Sequence, residues 1–533
     1  MEKPAFDLDW LIIGSGFGGS VSALRLAEKG YKVAVLEAGR RFEDEELPKS
    51  SWSLRRFLWV PRLGLQGILR VTPLRDAFVL SGAGVGGGSL VYAATLYRAP
   101  TSFFEHPQWQ GLRDWEREIQ PHYDTAERYL GAQDVPFESQ SDRWLQAMGT
   151  ALGCAHTFKR TRVGIYFGVP GTTVPDPIFN GEGPARTGCT RCSSCMLGCP
   201  VGAKNTLVRN YLYLAEKRGV DIMPLRTVVD IRPIGAADGS EGYLVTHERS
   251  GAWLRKDRRQ LRVRGVVVAA GALGSNELLL RCKHAGSLPA LSPRLGELVR
   301  TNSENGVAVT LPGDTQLGDT VSITGSIFPD ADSHIEAVAL GPKMDLFAYN
   351  YGPLLGPGNR LTQPLKGLAL ALLHPLRTLA HVLWPFGWGK RTLLVGIMQT
   401  ADNAIQLVGK RRWLGGGIVV NSRPDPQRPL PKRYALVDQL SKWLGKQPGA
   451  VVRSGMNEIL FNTPFTAHIM GGLVIGRDRE QGVVNTRHEV FGYCGLLVCD
   501  GSVLPANPGV NPSLTITALT ELAMTHIPRK ETR

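Results

Sequence analysis

The stretch Leu8–Glu37 constrains this chain more than any other. Leu8-Asp9-Trp10-Leu11-Ile12-Ile13 is an apolar run short enough for a buried strand, and it leads straight into Gly14-Ser15-Gly16-Phe17-Gly18-Gly19, which fits G-x-G-x-x-G. The next ten residues are rich in helix formers, with Ala23, Leu26 and Ala27 on one face. Gly30 stops the helix, and Lys32-Val33-Ala34-Val35-Leu36 reads as a second strand ending at Glu37. In such a unit Gly14 makes the tight turn, Gly16 admits a pyrophosphate against the backbone, and Gly19 lets helix pack on strand. Phe17 and Gly18 supply free amides at the helix N-terminus, where phosphate binds. Glu37 stands about where a carboxylate accepts bonds from ribose hydroxyls. The alternative, a tight helix–strand turn without a ligand, does not need the terminal acid.

The chain has 533 residues, room for two or three domains with ample core. Its formal charge of +14 favours anionic surfaces or an acidic redox partner. The basic residues are scattered, with no zinc-finger or RNP pattern, so no nucleic acid partner is expected. The N-terminal residues lack the apolar core of a signal peptide, which predicts a cytoplasmic chain. Eight cysteines in so long a chain do not make a disulfide scaffold, yet four of them fall between positions 189 and 199.

Arg40–Arg75 resists assignment. After it, Gly82-Ala83-Gly84-Val85-Gly86-Gly87-Gly88-Ser89-Leu90-Val91 carries too much glycine for a packed helix, at about 1 kcal/mol per glycine relative to alanine. Such a run suits a backbone lying against a flat or phosphorylated ligand. Together with the opening motif it resembles the glucose-methanol-choline (GMC) oxidoreductases, and within them the bacterial cholesterol oxidase-like branch. The resemblance implies FAD, with Gly86, Gly87, Gly88 and Ser89 near its pyrophosphate and ring. Tyr92-Ala93-Ala94 stands where the best-known cholesterol oxidases have Asn-Gly-Gly, a departure at the flavin edge.

Trp115–Leu130 reads as a helix with a buried aromatic and leucine stripe, and Asn205–Arg218 as another, stopped by Gly219. Strands follow over 220–234 and 242–247, the former including Val228 on the adenine side of the cofactor. Val263–Ser275 is a further strand-to-turn crossing through Ala270 and Gly271, with its helix expected from Asn276. From about Thr301 to Val474 strand-like runs alternate with Pro and Gly turns, which suits an antiparallel substrate domain. The fold expected is α/β, a Rossmann-like FAD-binding domain with an inserted α+β substrate domain on a largely antiparallel sheet. Residues 1–105, 200–300 and 484–533 would form the FAD domain, 106–185 and 301–483 the substrate domain, and 186–200 a cysteine-rich loop. At the C-terminus the family pattern places Asp500 and Gly501 near the ribityl chain, and Asn511 and Pro512 near the pyrimidine edge. A helix N-terminus there would stabilise negative charge on a reduced ring.

Oxidation of an alcohol by a flavin needs an acceptor for the hydroxyl proton beside the ring. His468, in Thr466-Ala467-His468-Ile469-Met470-Gly471-Gly472, matches the family's active-site histidine, although His-Pro-Leu-Gly-Gly is the common form. Glu336 matches a glutamate that cholesterol oxidases place over the substrate, and Asn511 would orient the hydroxyl. Strand alternation alone allows Glu336 to point outward, and the neighbouring His334 is expected at the surface. The resulting expectation is an FAD-dependent oxidation of a lipophilic alcohol, foremost a sterol or steroid 3-hydroxyl. Rivals are a long-chain alcohol or sugar dehydrogenase and a non-enzymatic flavin and iron–sulfur electron carrier.

Two features stand outside that frame. Cys189-Thr190-Arg191-Cys192-Ser193-Ser194-Cys195-Met196-Leu197-Gly198-Cys199-Pro200 has the C-x₂-C-x₂-C-x₃-C-P spacing of a bacterial iron–sulfur ligand run. A 4Fe-4S or 3Fe-4S cluster is favoured over zinc, whose sites usually pair two separated C-x₂-C knuckles. The fourth ligand is open between Cys199 and the remote Cys154, Cys282, Cys494 and Cys499. A cluster would hand electrons to a protein acceptor; without one, oxygen serves. The second feature is residues 365–388, whose leucines, interspersed Lys366 and Arg377 and terminal tryptophans are too broken to span a bilayer. They suit a helix lying at the inner face of a membrane, or else a lid or dimer contact.

Overall fold

The structure, a computed structural model, describes residues 6–313, 315, 317–411, 417–431 and 434–531. Two seven-stranded sheets organise it. The first grows from the opening strand. Leu8–Ile13 lies parallel to Val33–Leu36 on one side and to Arg259–Val268 on the other, so that Ile13 stands opposite both Leu36 and Val268. Asp221–Met223 adds a parallel strand beyond Val33–Leu36. On its other side Arg259–Val268 is shared: its first half pairs antiparallel with Tyr243–Arg249, its second half parallel with Leu496–Val498. Arg226–Pro233 closes that edge. The parallel strands are continuous apolar runs because both faces are buried: all four residues of Val33–Leu36 are in the core. Phe17–Glu28 covers the sheet together with Tyr211–Lys217 and Ser513–Thr525.

The second sheet is antiparallel throughout, in the order Tyr351–Pro353, Val451–Gly455, Asn305–Thr310, Thr392–Gln399, Ser333–Ala339, Gly325–Asp330, Lys159–Arg160. One face packs on the helix Gln140–Leu152: Ile335, Ala337 and Ala339 share a core with Leu145 and Met148. With a period of two, Glu336 and Val338 then face the other way, into the interior of the molecule. The fold is thus α/β, a Rossmann-like unit carrying an inserted antiparallel sheet.

Several elements differ from the sequence reading. The helix expected over Asn205–Arg218 is only Tyr211–Lys217, because the Asn210 side chain accepts the Tyr211 amide and starts the helix there. The helix expected from Asn276 begins at Gly271. Within Arg40–Arg75, Leu69–Pro73 forms a hairpin with Phe78–Gly82, which carries Arg70 inward. Residues 365–388 hold two short helices, Thr362–Leu373 and Pro375–Leu383, with Leu365, Leu372, Leu376 and Trp384 each at least 67% exposed. Among the described residues no helix is long and apolar enough to cross a membrane.

Candidate active site

A cavity of about 890 Å³ runs between the two sheets. Its cofactor end is made largely of backbone. The helix Phe17–Glu28 starts at Gly16 without a side-chain cap, leaving its first amides free toward the cavity. A Cβ built on Gly16 would meet nothing within 4 Å, whereas one on Gly19 would strike the Gly14 carbonyl at 2.0 Å. The two glycines therefore differ in purpose: Gly16 leaves room for a ligand, and Gly19 serves the packing of helix on strand. Gly14, Phe17, Gly18, Glu37, Gly87, Gly88, Val228, Ala270, Gly271, Asp500, Gly501, Asn511 and Pro512 also line the cavity.

Gly19, Gly86 and Ser89 do not; for Gly19 this agrees with its packing of helix on strand, while Gly86 and Ser89 were expected at the ligand. Ser89 is fully buried; its hydroxyl donates to the Gly86 carbonyl at 2.7 Å and accepts the Leu207 amide at 3.0 Å. The Gly86 amide is taken by the Ser15 hydroxyl at 3.1 Å. These bonds hold the shape of the glycine-rich loop beside the cavity. Glu37 also works partly inward, accepting from the Ser15 amide at 3.0 Å, the Ser15 hydroxyl at 2.7 Å and the Gly39 amide at 2.8 Å. Asp500 is buried, which raises its pKa, and it accepts from the Gly271 amide and from the hydroxyls of Ser275 and Ser502. Arg70 was invisible in the sequence. Its Nε is buried without a hydrogen-bond partner, its guanidinium lies 5.7 Å from the Trp59 ring centre, and it lines the same cavity. Uncapped amides, an open Gly16 and an arginine whose buried Nε has no hydrogen-bond partner fit a dinucleotide such as FAD.

The other end is made of side chains. Glu336 comes from the antiparallel sheet, His468 from the loop ahead of Met470–Gly472, and Asn511 from the turn before the helix Ser513–Thr525. Asn511 Nδ2 lies 3.3 Å from His468 Nε2 and 3.4 Å from Glu336 Oε2. A fourth residue, Glu304, completes the group: its Oε2 lies 3.3 Å from His468 Nδ1 and accepts the Ala467 amide at 2.8 Å. The carboxylate faces Nδ1 at ion-pair distance, outside hydrogen-bond geometry, and an amide donor faces Nε2, which favours the tautomer with its proton on Nδ1 and a lone pair at Nε2. Burial opposes a charged imidazole, but Glu304, and after it Glu336, outweigh it, so the pKa of His468 is raised. Burial also pushes Glu336 up to about 7, against the pull of His468, Asn511 and Tyr97. Glu336 Oε1 and Asn511 Oδ1 are buried without a hydrogen-bond partner. Glu304 escaped the sequence reading because it sits in an irregular turn, beside Asn302 and Ser303 with φ of 56° and 46°.

His334 is not at the surface. It is 2% exposed, stacked on Phe328 with ring centres 4.8 Å apart, and its Nε2 is 3.8 Å from Glu336 Oε1. Burial pushes its pKa down to about 3, so it stands neutral beside the glutamate. The cavity reaches the surface past Tyr349, Leu460 and Phe461, which are 40%, 45% and 52% exposed. The Tyr349 hydroxyl donates to the Val382 carbonyl at 2.9 Å, which ties this mouth to the exposed apolar helices.

Cys189, Cys192, Cys195 and Cys199 wall a second, small cavity, and none is in a disulfide. Among the described residues no three His, Cys, Asp or Glu side chains converge closely enough to hold a single metal ion. The remote Cys154, Cys282, Cys494 and Cys499 do not line this cavity.

Residues 438–520 match the model of a GMC oxidoreductase C-terminal domain, and residues 12–42 that of an NAD(P)-binding Rossmann-like domain. A cholesterol oxidase of Mycobacterium tuberculosis is 46% identical over 99% of this chain and 92% of its own length. A cholesterol oxidase of Acinetobacter baumannii is 44% identical over 99% and 95%. A pyridoxine 4-oxidase from Mesorbium loti has the same fold, with a TM-score of 0.63 at 14% identity over 97% of this chain and 99% of that one.

Proposed function

The chain belongs to the GMC oxidoreductases and is an FAD-dependent alcohol oxidoreductase, and on that premise we propose that it oxidises the 3-hydroxyl of a sterol or steroid to the ketone. The observation that carries this is the convergence of Glu304, Glu336, His468 and Asn511 at one end of an 890 Å³ cavity whose mouth is apolar. The two cholesterol oxidase relatives support the substrate class.

FAD, when bound along Gly14–Gly18, Gly87, Gly88 and Asp500, supplies the hydride acceptor, with Arg70 placed for its anionic part. His468 Nε2 takes the hydroxyl proton, and the Glu304 carboxylate favours the tautomer that leaves this nitrogen unprotonated, its lone pair passing from the Asn511 amide to the hydroxyl. The Glu304 carboxylate also stabilises the imidazolium that results. Asn511 fixes the position of the hydroxyl by keeping its amide between His468 and Glu336. Glu336, with its pKa about 7, can hold or release a proton at neutral pH. Val338, Met398 and Phe347 give the cavity apolar walls that exclude water from a bulky ring system.

The same reading takes the substrate from a membrane surface. Helices of 12 and 9 residues are too short to span a bilayer, but their exposed leucines, with Lys366 and Arg377, suit its interface. Electrons then pass to oxygen, or through an iron–sulfur cluster to a protein acceptor; the thiol-lined cavity supports the second route. Anaerobic addition of a 3-hydroxysteroid tests the proposal: the flavin band bleaches and the 3-ketone forms in equal amount. If only polyols or short alcohols bleach it, the substrate class is wrong.

A further inference from the structure

We infer that the small cavity binds a [4Fe–4S] cluster through Cys189, Cys192, Cys195 and Cys199. The site stands on its own geometry; only its redox role rests on the proposed alcohol oxidation. The sequence left the fourth ligand open. All four thiols of the run wall one cavity, and none of the four remote cysteines does, which assigns Cys199.

The sequence spacing favours a cluster over one ion: the run reads C-x₂-C-x₂-C-x₃-C-P, whereas zinc sites usually pair two separated C-x₂-C knuckles. Zinc with bonds of about 2.3 Å needs its sulfurs about 3.8 Å apart around a single point. A cluster has an iron for each thiolate, so its ligands surround a volume instead of a point. The backbone is shaped for this. Arg191, Ser193, Gly198 and Cys199 have φ between 54° and 90°, so the chain wraps around the cavity. The Arg191 amide donates to Cys189 Sγ at 3.4 Å, and the Lys204 amide to Cys199 Sγ at 3.3 Å. Such N–H···S bonds stabilise sulfur that carries negative charge.

Lys204 is the independent observation. It is 1% exposed and lines the cavity, and its ammonium donates only to carbonyls, those of Leu90, Tyr92 and Cys195, at 2.6–3.2 Å. Among the described residues no carboxylate pairs with it; the Tyr92 ring lies 5.1 Å from the ammonium, and a buried cation without an anionic partner is costly. A cluster held by four thiolates is anionic and supplies that charge.

The site also lies beside the large cavity. Cys195 walls the small one and its neighbour Met196 walls the large one. Conversion of an alcohol to a ketone releases two electrons and two protons. A cluster carries one electron at a time, so both leave in succession to an external one-electron acceptor protein, with thiolates and sulfides unchanged.

The test is iron, acid-labile sulfide and zinc analysis of anaerobically purified full-length protein, with an EPR spectrum after dithionite. About four irons and about four sulfides per chain are expected, with an EPR signal on reduction. Cys192→Ser should lose the iron and Cys494→Ser keep it. If Cys192→Ser does not fold, reconstitution of the wild type with ferrous iron and sulfide decides. One zinc without sulfide, three irons, or no iron after reconstitution would each overturn the assignment. Steroid bleaching is read on the same sample. Bleaching without iron sinks the cluster and leaves the alcohol reading; iron without bleaching does the reverse.

Discussion

The two ends of the large cavity are built from different materials. At the cofactor end, backbone amides and glycines of the Gly14–Gly18 turn, joined by Gly87, Gly88 and Gly271, make most of the binding surface, with Glu37, Arg70 and Asp500 the charged side chains. At the substrate end, Glu304, Glu336, His468 and Asn511 arrive from four separate segments and meet chiefly through their side chains, with the Ala467 amide the one backbone donor to Glu304. A surface made of backbone governs affinity for the cofactor. A cluster of side chains loses chemistry when one member goes. Single substitutions should therefore divide by end, into losses of rate and losses of binding.

The largest effect belongs to the substrate end. His468→Ala should slow anaerobic flavin reduction by about 10²–10⁴-fold, with FAD content unchanged, because the proton acceptor is gone. Stopped-flow spectroscopy reads both quantities on one sample. A loss of FAD with little loss of rate per flavin would break the division. At the other end, Arg70→Met should weaken FAD binding by about tenfold, the order of one lost charge-assisted hydrogen bond. Fluorescence titration of the apoprotein measures this, and turnover per bound flavin should stay constant.

Glu304→Gln sharpens the comparison further, since Glu304 acts through His468. A neutral imidazole accepts the proton, so the rate should rise with pH through the pKa of His468, which lies above its ordinary 6.5. Without the Glu304 charge the imidazolium is less favoured, and the midpoint should fall by about one unit. A pH profile of the reductive half-reaction checks the direction; an upward shift would contradict it. The smallest effect is at the mouth. Leu376→Asp should reduce partition onto anionic phospholipid vesicles several-fold in a sedimentation assay. Its rate on detergent-solubilised steroid should match the wild type.

The same contrast explains what the sequence made legible. The βαβ unit could be read because strand, glycine turn, helix and strand are contiguous in Leu8–Leu36, and local periodicity encodes them. His468 and Asn511 were reached through motifs that match a family, and Glu336 through resemblance alone, since strand alternation could not say which face was inside. Arg70 and Glu304 were not reached. Arg70 lies in a hairpin that only tertiary packing turns inward, and Glu304 in a turn without periodicity. His334 was misjudged for the reason that left Glu336 open: the strand Ser333–Ala339 is covered on both faces, so neither is solvent. Ser89 and Gly86 were assigned to the ligand because a glycine-rich loop does not declare which of its residues hold the loop together.

The central claim is that His468 takes the proton while hydride leaves the adjacent carbon. Single-turnover flavin reduction by a 3-hydroxysteroid, protio and 3-deuterio, in the wild type and His468→Ala, tests it directly. A primary isotope effect in both proteins, with the variant slower by about two orders of magnitude or more, is the predicted result. Equal rates in the two proteins would show that another group takes the proton, and the account of this site would fail.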